Sequence, residues 1–290
     1  MRLLPSAFKR LDLLLALFLA GCSGLLLRPD AVAPASDLPP GVSITEGRIA
    51  SDTGCPLDYR AYRPRGAVDN GDWVILAHGF LRSQQRMRDL AATMAAGDMQ
   101  VATLDFCNQK PWAGRHVQNS RDMVDLARHL GAARVVYAGF SAGGLAAVLA
   151  GGADPRAVGV VTLDLVDTQG LGIGTARGLT KPLLAIAGEP TNCNALANGS
   201  AVYRVARDAR VKRVGGAGHC DFESPTDGLC ELVCADPDGT AETHRDAIIA
   251  SATAAARSLL DEDVSGWPRR APSAPTDWSP PAGAAHLRQR

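Results

Sequence analysis

Short apolar runs that alternate with helical segments constrain the fold of this 290-residue chain more than any other feature. Runs such as DWVILAH (72–78) and AVGVVTLDLV (157–166) are apolar almost throughout, which is typical of strands buried on both faces. Helical segments such as NSRDMVDLARHL separate the runs. Further strand candidates are ITEGRIA, LDYRAYR, 99–106, 133–140, 181–188 and 211–216, and further helices are SQQRMRDLAATMAA and THRDAIIASATAAARSLL. This order predicts an α/β fold, a doubly wound and mostly parallel sheet flanked by helices.

The composition is ordinary for a globular protein with a sizeable core, since 46% of the residues are hydrophobic and 21% are charged. The 30 basic and 30 acidic residues cancel. No net field therefore attracts nucleic acid or another charged partner. We expect no nucleic-acid binding.

The first 21 residues have the pattern of an export signal. A basic segment precedes the apolar run LLLALFLA, which is too short to span a bilayer. The sequence LAGC (19–22) then resembles the bacterial lipobox, whose cysteine becomes the lipidated first residue. We expect a lipoprotein signal peptide over 1–21 and a membrane anchor on Cys22, with a plain signal peptide as the alternative. Ser23 follows in place of an aspartate, which favours the outer membrane of the cell envelope, facing the periplasm or the exterior.

Two stretches rich in proline, alanine and serine flank the compact part of the chain. Residues 22–42 are predicted to form a tether. Residues 263–290 are predicted to form a disordered, proline-rich tail. One compact domain is then expected over residues 43–262.

Six cysteines remain once Cys22 is set aside, namely Cys55, Cys107, Cys193, Cys220, Cys230 and Cys234. An even number in an exported protein favours disulfides, up to three here, although the spacing alone does not select the pairing. A zinc site is the alternative, but the sequence contains neither a CxxC pair nor HExxH. We expect no metal and no cofactor.

The pentapeptide GFSAG (139–143) places Ser141 between a buried strand and a helical segment, and it fits G-x-S-x-G. Such a serine sits on a tight strand-to-helix turn, where the flanking glycines leave room for the backbone. The first amides of the helix point toward the serine and favour negative charge there. Ser141 is therefore a candidate nucleophile, with a simple helix cap as the alternative.

A serine nucleophile needs a base and an acid that orients the base. His219 follows the last predicted strand in a glycine-rich loop, downstream of the serine. Asp164 and Asp167 end the strand after the nucleophile's helix, and Glu189 ends the next strand. Chain order alone leaves these three carboxylates open.

The segments AHGF, GFSAG, LDLVD and AGHCDF, in this order, resemble the α/β-hydrolase superfamily over about residues 55–260. Within it, LAHGFLRSQ and LDLVD are similar to the branch of chlorophyllases and platelet-activating factor acetylhydrolases. The resemblance implies Ser141 as nucleophile, His219 as base and Asp164 as acid. It also implies an oxyanion hole formed by the backbone amides of Phe80 and Ala142.

Together these features predict a serine hydrolase that cleaves a small-molecule or lipid-like carboxylic ester through an acyl-enzyme. The same triad could serve a thioesterase, a polyesterase or an acyltransferase. A non-catalytic envelope lipoprotein of the same fold is the alternative from another class. The span 167–180 is too short for a large helical cap, so we expect a fairly open site.

Overall fold

The structure is a computed structural model that describes residues 39–107, 114–234 and 241–268. The predicted signal peptide, the lipidation of Cys22 and most of the tether fall on residues 1–38, outside the described residues. Most of the predicted tail is outside them as well. These expectations stay predictions. No helix of the described ranges combines the length and the apolar character that a membrane span requires.

One eight-stranded sheet forms the centre of the domain, in the order β1-β2-β4-β3-β5-β6-β7-β8. The strands are β1 (Val42–Ala50), β2 (Pro56–Pro64), β3 (Asp72–Ala77), β4 (Val101–Leu104), β5 (Arg134–Phe140), β6 (Ala157–Leu163), β7 (Leu183–Ala187) and β8 (Ala209–Arg213). Neighbouring strands from β4 to β8 pair in parallel, whereas β1 and β2 form antiparallel pairs at one edge. The mostly parallel sheet predicted from the sequence is confirmed.

Helices cover both faces of the sheet. They are α1 (Arg88–Ala96), α2 (His116–His129), α3 (Ala142–Ala153), α4 (Leu171–Ala176), α5 (Ser200–Val205), α6 (Gly228–Val233) and α7 (Ala241–Leu260). Successive side chains of a strand point to opposite faces. In β3, Trp73 and Ile75 pack in the cluster that includes α2 and α3, whereas Val74 and Leu76 pack in the cluster that includes α1 and α7. A strand buried on both faces has no polar positions, which explains its unbroken apolar run.

The antiparallel edge differs from the centre because β1 is largely open to solvent. Its burial pattern has only Val42 and Ile49 buried. Charged side chains pair across β1 and β2 instead, with Arg48 Nε 2.6 Å from Asp58 Oδ1. Charge on an edge strand discourages pairing with another chain.

The packed chain continues beyond residue 262, where the sequence placed the end of the domain. Trp267 is buried, and the Arg210 guanidinium donates to the carbonyls of Val264 and Trp267. Burying an indole removes a large apolar surface from water. That burial holds the chain against the domain at least as far as Trp267.

All six cysteines of the domain are paired. The disulfides are Cys55–Cys107, Cys193–Cys234 and Cys220–Cys230. The expected three disulfides are therefore present. Two of them attach α6 to the rest of the domain, since Cys230 lies within α6 and Cys234 directly follows it. Cys220 directly follows His219 in the chain.

Candidate functional site

Ser141 lies on a sharp turn between β5, which ends at Phe140, and α3, which begins at Ala142. Its backbone has φ 54° and ψ −118°, outside the usual regions for a residue with a side chain. Such strain costs about 1–3 kcal/mol and persists only where the surroundings enforce it. The turn presents the hydroxyl at the carboxyl edge of the sheet rather than within a strand or a helix.

Close backbone contacts explain the two glycines around this serine. A Cβ on Gly139 would collide with the carbonyl of Gly143, and a Cβ on Gly143 would collide with the carbonyl of His78. These contacts bring α3 against the end of β3. The sequence G-x-S-x-G is therefore needed for the packing of the turn itself.

His219 connects the serine to a carboxylate. It begins a short 3-10 turn, His219–Phe222, after β8. Its Nε2 lies 3.0 Å from Ser141 Oγ, and its Nδ1 lies 2.6 Å from Asp164 Oδ2. All three side chains are buried, where hydrogen bonds between polar groups are stronger than in water.

The Asp164 carboxylate is held by several donors besides the histidine. It follows the last residue of β6, and its own φ of 43° turns the chain away from the strand. Its oxygens accept from the backbone amide of Gly188 at 3.1 Å and from Asn194 Nδ2 at 3.1 Å. Hydrogen bonds to the ionised form stabilise the charge of a buried carboxylate.

The two other candidate acids make different contacts. The Asp167 carboxylate accepts from the amides of Gly172 and Ile173 at 2.8 and 3.3 Å, at the start of α4. Glu189 donates its amide to the Ala217 carbonyl, 2.9 Å away. Among the described residues, neither side chain bonds to His219. The geometry thus brings Asp164, and neither of its two rivals, to the histidine.

A tight turn after β3 carries Phe80, the first residue expected in the oxyanion hole. The Arg82 amide donates to the Gly79 carbonyl at 3.3 Å, and His78 Nδ1 lies 2.7 Å from the same oxygen. In a planar peptide the N–H points opposite to the C=O, so these contacts also fix the direction of the Phe80 amide. A Cβ on Gly79 would lie 3.4 Å from Ser141 Cβ, which places this turn beside the serine.

Ala142, the second expected donor, is the first residue of α3. An amide at this position has no acceptor within its own helix. The helix dipole adds to its preference for negative charge. The amide directly after the serine can therefore stabilise an oxyanion that forms on the carbonyl group attacked by the serine.

The surroundings of His78 favour its neutral form. Its ring is fully enclosed, and burial lowers the pKa of its imidazole below the usual value. The Phe106 amide donates to Nε2 at 3.4 Å, which leaves Nδ1 to carry the proton toward the Gly79 carbonyl. His78 is thus a donor that shapes the turn rather than a base.

No protein-family model matches the sequence, and no curated protein matches it. Among solved structures, the chain is similar to a predicted CIB-like hydrolase from Thermoplasma acidophilum. The TM-score is 0.53, with 16% identity over 72% of this chain and 100% of that one. The chain has an α/β-hydrolase fold. At this identity the likeness shows the fold alone, and the resemblance to the chlorophyllase and platelet-activating factor acetylhydrolase branch stays a prediction.

The α/β-hydrolase fold also places residues that the sequence did not single out. Asn194 supports Asp164 from a loop after β7, and Arg82 and Glu223 form a buried ion pair next to the turn after β3. A polar residue in a loop has no periodic signal, so only its position in space reveals the contact. For Arg82, the one available hint was its place two residues after Phe80.

Proposed function

We propose that this protein is a serine hydrolase that cleaves carboxylic esters through an acyl-enzyme on Ser141. The proposal rests on one observation, the continuous hydrogen-bonded chain from Ser141 Oγ to His219 at 3.0 Å and from His219 to Asp164 at 2.6 Å. A serine hydroxyl is a weak nucleophile until a base takes its proton. This chain supplies the base and orients it.

In the acylation step, Ser141 Oγ attacks the ester carbonyl carbon while His219 Nε2 takes the hydroxyl proton. The carbonyl oxygen becomes an oxyanion that accepts from the amides of Phe80 and Ala142. Asp164 stabilises the imidazolium through Nδ1 and itself stays ionised. When the tetrahedral intermediate collapses, His219 gives its proton to the leaving alcohol.

In the deacylation step, water attacks the acyl group on Ser141 while His219 again acts as base. The second tetrahedral intermediate uses the same two amides. Its collapse returns the proton to Ser141 Oγ and releases the carboxylic acid. The side chains and amides named here complete both steps.

An apolar ester fits the surface around the site. Among the described residues, eight large apolar side chains are exposed, and seven of them lie on segments that follow the carboxyl ends of parallel strands. They are Phe80, Leu81, Val117, Leu196, Leu229, Leu232 and Val233. The segment between β6 and β7 contains only the six-residue helix α4. This distribution favours a lipid-like ester as substrate. The short segment between β6 and β7 leaves no large cap over the site there.

The proposed location is the cell envelope, with a lipid on Cys22 as the anchor. It rests on the export pattern and on the lipobox-like sequence, and the three disulfides agree with an oxidising compartment. Globomycin treatment of expressing bacteria, followed by mass analysis, tests it. A precursor that accumulates with its signal peptide intact supports the anchor, and unchanged processing contradicts it.

Fluorophosphonate labelling tests the proposed chemistry. Folded protein with its disulfides formed should take a single adduct, which peptide mass analysis assigns to Ser141. Ser141→Ala should abolish labelling and lower kcat on a soluble ester by about 10⁴-fold or more.

Ser251→Ala is the matched control for that experiment. Ser251 is also buried, and its Oγ donates to the Ala247 carbonyl within α7, on the helical layer rather than at the site. This variant should label and turn over like the natural protein. Hydrolysis that survives Ser141→Ala would overturn the proposal, and folded protein without any adduct would favour a non-catalytic lipoprotein.

A further inference from the structure

A largely buried ion pair lies next to the proposed site, and its partners are not the reacting groups. Arg82 Nε lies 2.6 Å from Glu223 Oε1, and Arg82 Nη2 lies 2.6 Å from Glu223 Oε2. The Glu223 side chain has no exposed surface, and Arg82 also reaches Asp227 at 2.9 Å. A bidentate arginine–carboxylate pair fixes geometry as well as charge.

Stability alone is a weak reason for such a pair. Removing two charges from water is costly, and well-packed apolar side chains often serve a fold as well or better. Burial raises the pKa of the Glu223 carboxyl above its usual value, and Arg82 and Arg86 act in the opposite direction. The arginine therefore offsets part of the cost of burying this carboxylate and, through two hydrogen bonds, holds it at a defined place.

The ion pair connects two segments that are not connected by strand pairing, the turn after β3 and the turn after β8. Arg82 closes the turn that begins at Gly79 and carries the Phe80 amide. Glu223 directly follows the turn that begins at His219. These segments leave β3 and β8, which have β5, β6 and β7 between them in the sheet. The Arg82–Glu223 pair thus bridges the oxyanion side of the site to the histidine side.

The turn on the oxyanion side needs external support. Leu81 has φ 57°, the left-handed conformation that residues with a side chain rarely adopt. An oxyanion donor acts only within about 2.7–3.1 Å of the developing charge, so a small displacement of the Phe80 amide removes its contribution. Arg82 follows Leu81 directly, and the contact of its side chain with Glu223 fixes the end of the turn.

We propose that Arg82 and Glu223 are positioning residues, whose bidentate ion pair holds the Phe80 amide in register with Ser141 and His219. The pair acts on the transition state because the oxyanion exists only there. This inference rests on the proposed ester hydrolysis. It goes further by assigning a role to two residues outside the triad and the oxyanion donors.

Steady-state kinetics on a soluble ester, combined with inhibition by a trifluoromethyl ketone, test the role. The ketone forms a tetrahedral adduct with the serine, and its oxygen occupies the oxyanion position. Arg82→Met should lower kcat about 10- to 100-fold, less than the roughly 10²–10³-fold for deleting an oxyanion donor, with KM within about twofold. The affinity for the ketone should fall in parallel with kcat/KM.

Three further variants separate positioning from folding. Arg82→Lys keeps the charge without the bidentate fork and should lose less than Arg82→Met. Glu223→Gln should also lower kcat. It leaves no unpaired buried charge, because Arg82 keeps its contact with Asp227. In Arg82→Met/Glu223→Gln both charges are gone, so thermal stability should recover relative to Arg82→Met while kcat and ketone affinity stay low. A merely structural pair would recover all three together.

Arg156→Met is the matched control. Arg156 makes a similar bidentate pair with Asp154, at 3.0 and 2.8 Å. This pair lies where β6 begins, at the amino ends of the parallel strands and away from the proposed site. This variant should lose stability and keep kcat and ketone affinity within about twofold.

The outcomes distinguish this inference from the proposed function. Active natural protein together with an unchanged kcat in folded Arg82→Met and Glu223→Gln overturns the positioning role alone. A change confined to KM does the same. If the natural protein neither hydrolyses an ester nor takes a fluorophosphonate, both the proposed function and this inference fail.

Discussion

At the scale of single residues, the choice of acid depends on which carboxylate meets His219. Asp164 lies 2.6 Å from Nδ1 and is supported by Gly188 and Asn194. Asp167 instead bonds to the amides at the start of α4. A carboxylate that holds the imidazole in one tautomer is worth far more to catalysis than a carboxylate nearby.

We therefore expect Asp164→Asn to lower kcat by about 10³- to 10⁴-fold, as loss of the orienting acid does in other triads. Glu189→Gln should keep kcat within a few-fold, because the backbone of Glu189, rather than its side chain, makes the contacts seen here. Kinetics of both purified variants on one soluble ester, with circular dichroism as a check on folding, decide the matter.

Asp167→Asn serves as the second control, since the amide oxygen can still cap α4 and kcat should stay near its natural value. If Glu189→Gln proves more damaging than Asp164→Asn, the acid belongs to the end of β7 and the assignment of Asp164 is wrong.

Residue-level prediction is most specific where a local constraint marks the position. Ser141 and His219 stand out because glycines and chain order surround them, and the structure brings them within hydrogen-bonding distance. The three carboxylates all follow strand ends at the same edge of the sheet, so sequence alone did not separate them. Asn194 had no local signal at all, because its contact with Asp164 spans 30 residues.

At the scale of elements, α6 depends on cross-links because it buries none of its residues. Asp227 caps it, since Oδ1 accepts from the Cys230 amide at 2.9 Å. A helix of six residues is far too short to be stable alone. The disulfide Cys220–Cys230 joins it to the residue that directly follows His219.

The disulfides should separate stability from activity. By loop closure, losing Cys55–Cys107, with a separation of 52 residues, should cost about 4 kcal/mol of unfolding free energy. Losing Cys220–Cys230, with a separation of 10, should cost about 3 kcal/mol. Yet only the second pair adjoins His219, so Cys220→Ser/Cys230→Ser should lower kcat more.

Urea unfolding and kcat on the same preparations measure both effects, in the presence of a blocking agent that prevents exchange with the remaining disulfides. If the larger kcat loss follows removal of Cys55–Cys107, the disulfide beside His219 does not support the histidine.

The shortest helices and the disulfide pairing could not be predicted from the sequence. The long alternation of strands and helices predicted the sheet, because buried strands of five to seven residues leave an unbroken apolar signal. The helices α4, α5 and α6 have six residues each, fewer than two turns, which is too short for a helical period to be recognised. Disulfide pairing needed the structure, since cysteines far apart in sequence meet only after folding.

At the scale of the whole molecule, parallel pairing places the proposed catalytic residues together at the carboxyl ends of the strands. Phe80, Ser141, Asp164 and His219 follow β3, β5, β6 and β8, whose carboxyl ends share one edge of the sheet. Ligands of open α/β sheets bind at this edge for the same reason. With 30 basic and 30 acidic residues, the chain has no net charge to attract an ionic substrate over a distance. The proposed apolar ester would instead be recognised by apolar contact at the site.

The distribution of exposed apolar side chains gives the last prediction. Leu229 and Leu232 lie on α6 with 58% and 81% of their surface exposed, whereas Val68, 89% exposed, lies in the connection before β3 at the opposite edge. We expect Leu229→Gln/Leu232→Gln to lower kcat/KM for p-nitrophenyl decanoate about tenfold. Covering part of two leucine side chains with an acyl chain is worth about 1–2 kcal/mol.

The acetate ester, which has no chain to contact α6, should be hydrolysed at the natural rate by the same variant. Val68→Gln should leave both esters unaffected, because an acyl chain bound at Ser141 does not reach the far edge of the sheet. Equal losses on acetate and decanoate would mean that α6 supports the catalytic groups rather than the acyl chain. Unchanged hydrolysis of both esters would mean that α6 does not contact the acyl chain. The apolar contact would then be assigned to the other exposed side chains at the carboxyl ends of the strands, Phe80, Leu81, Val117 and Leu196.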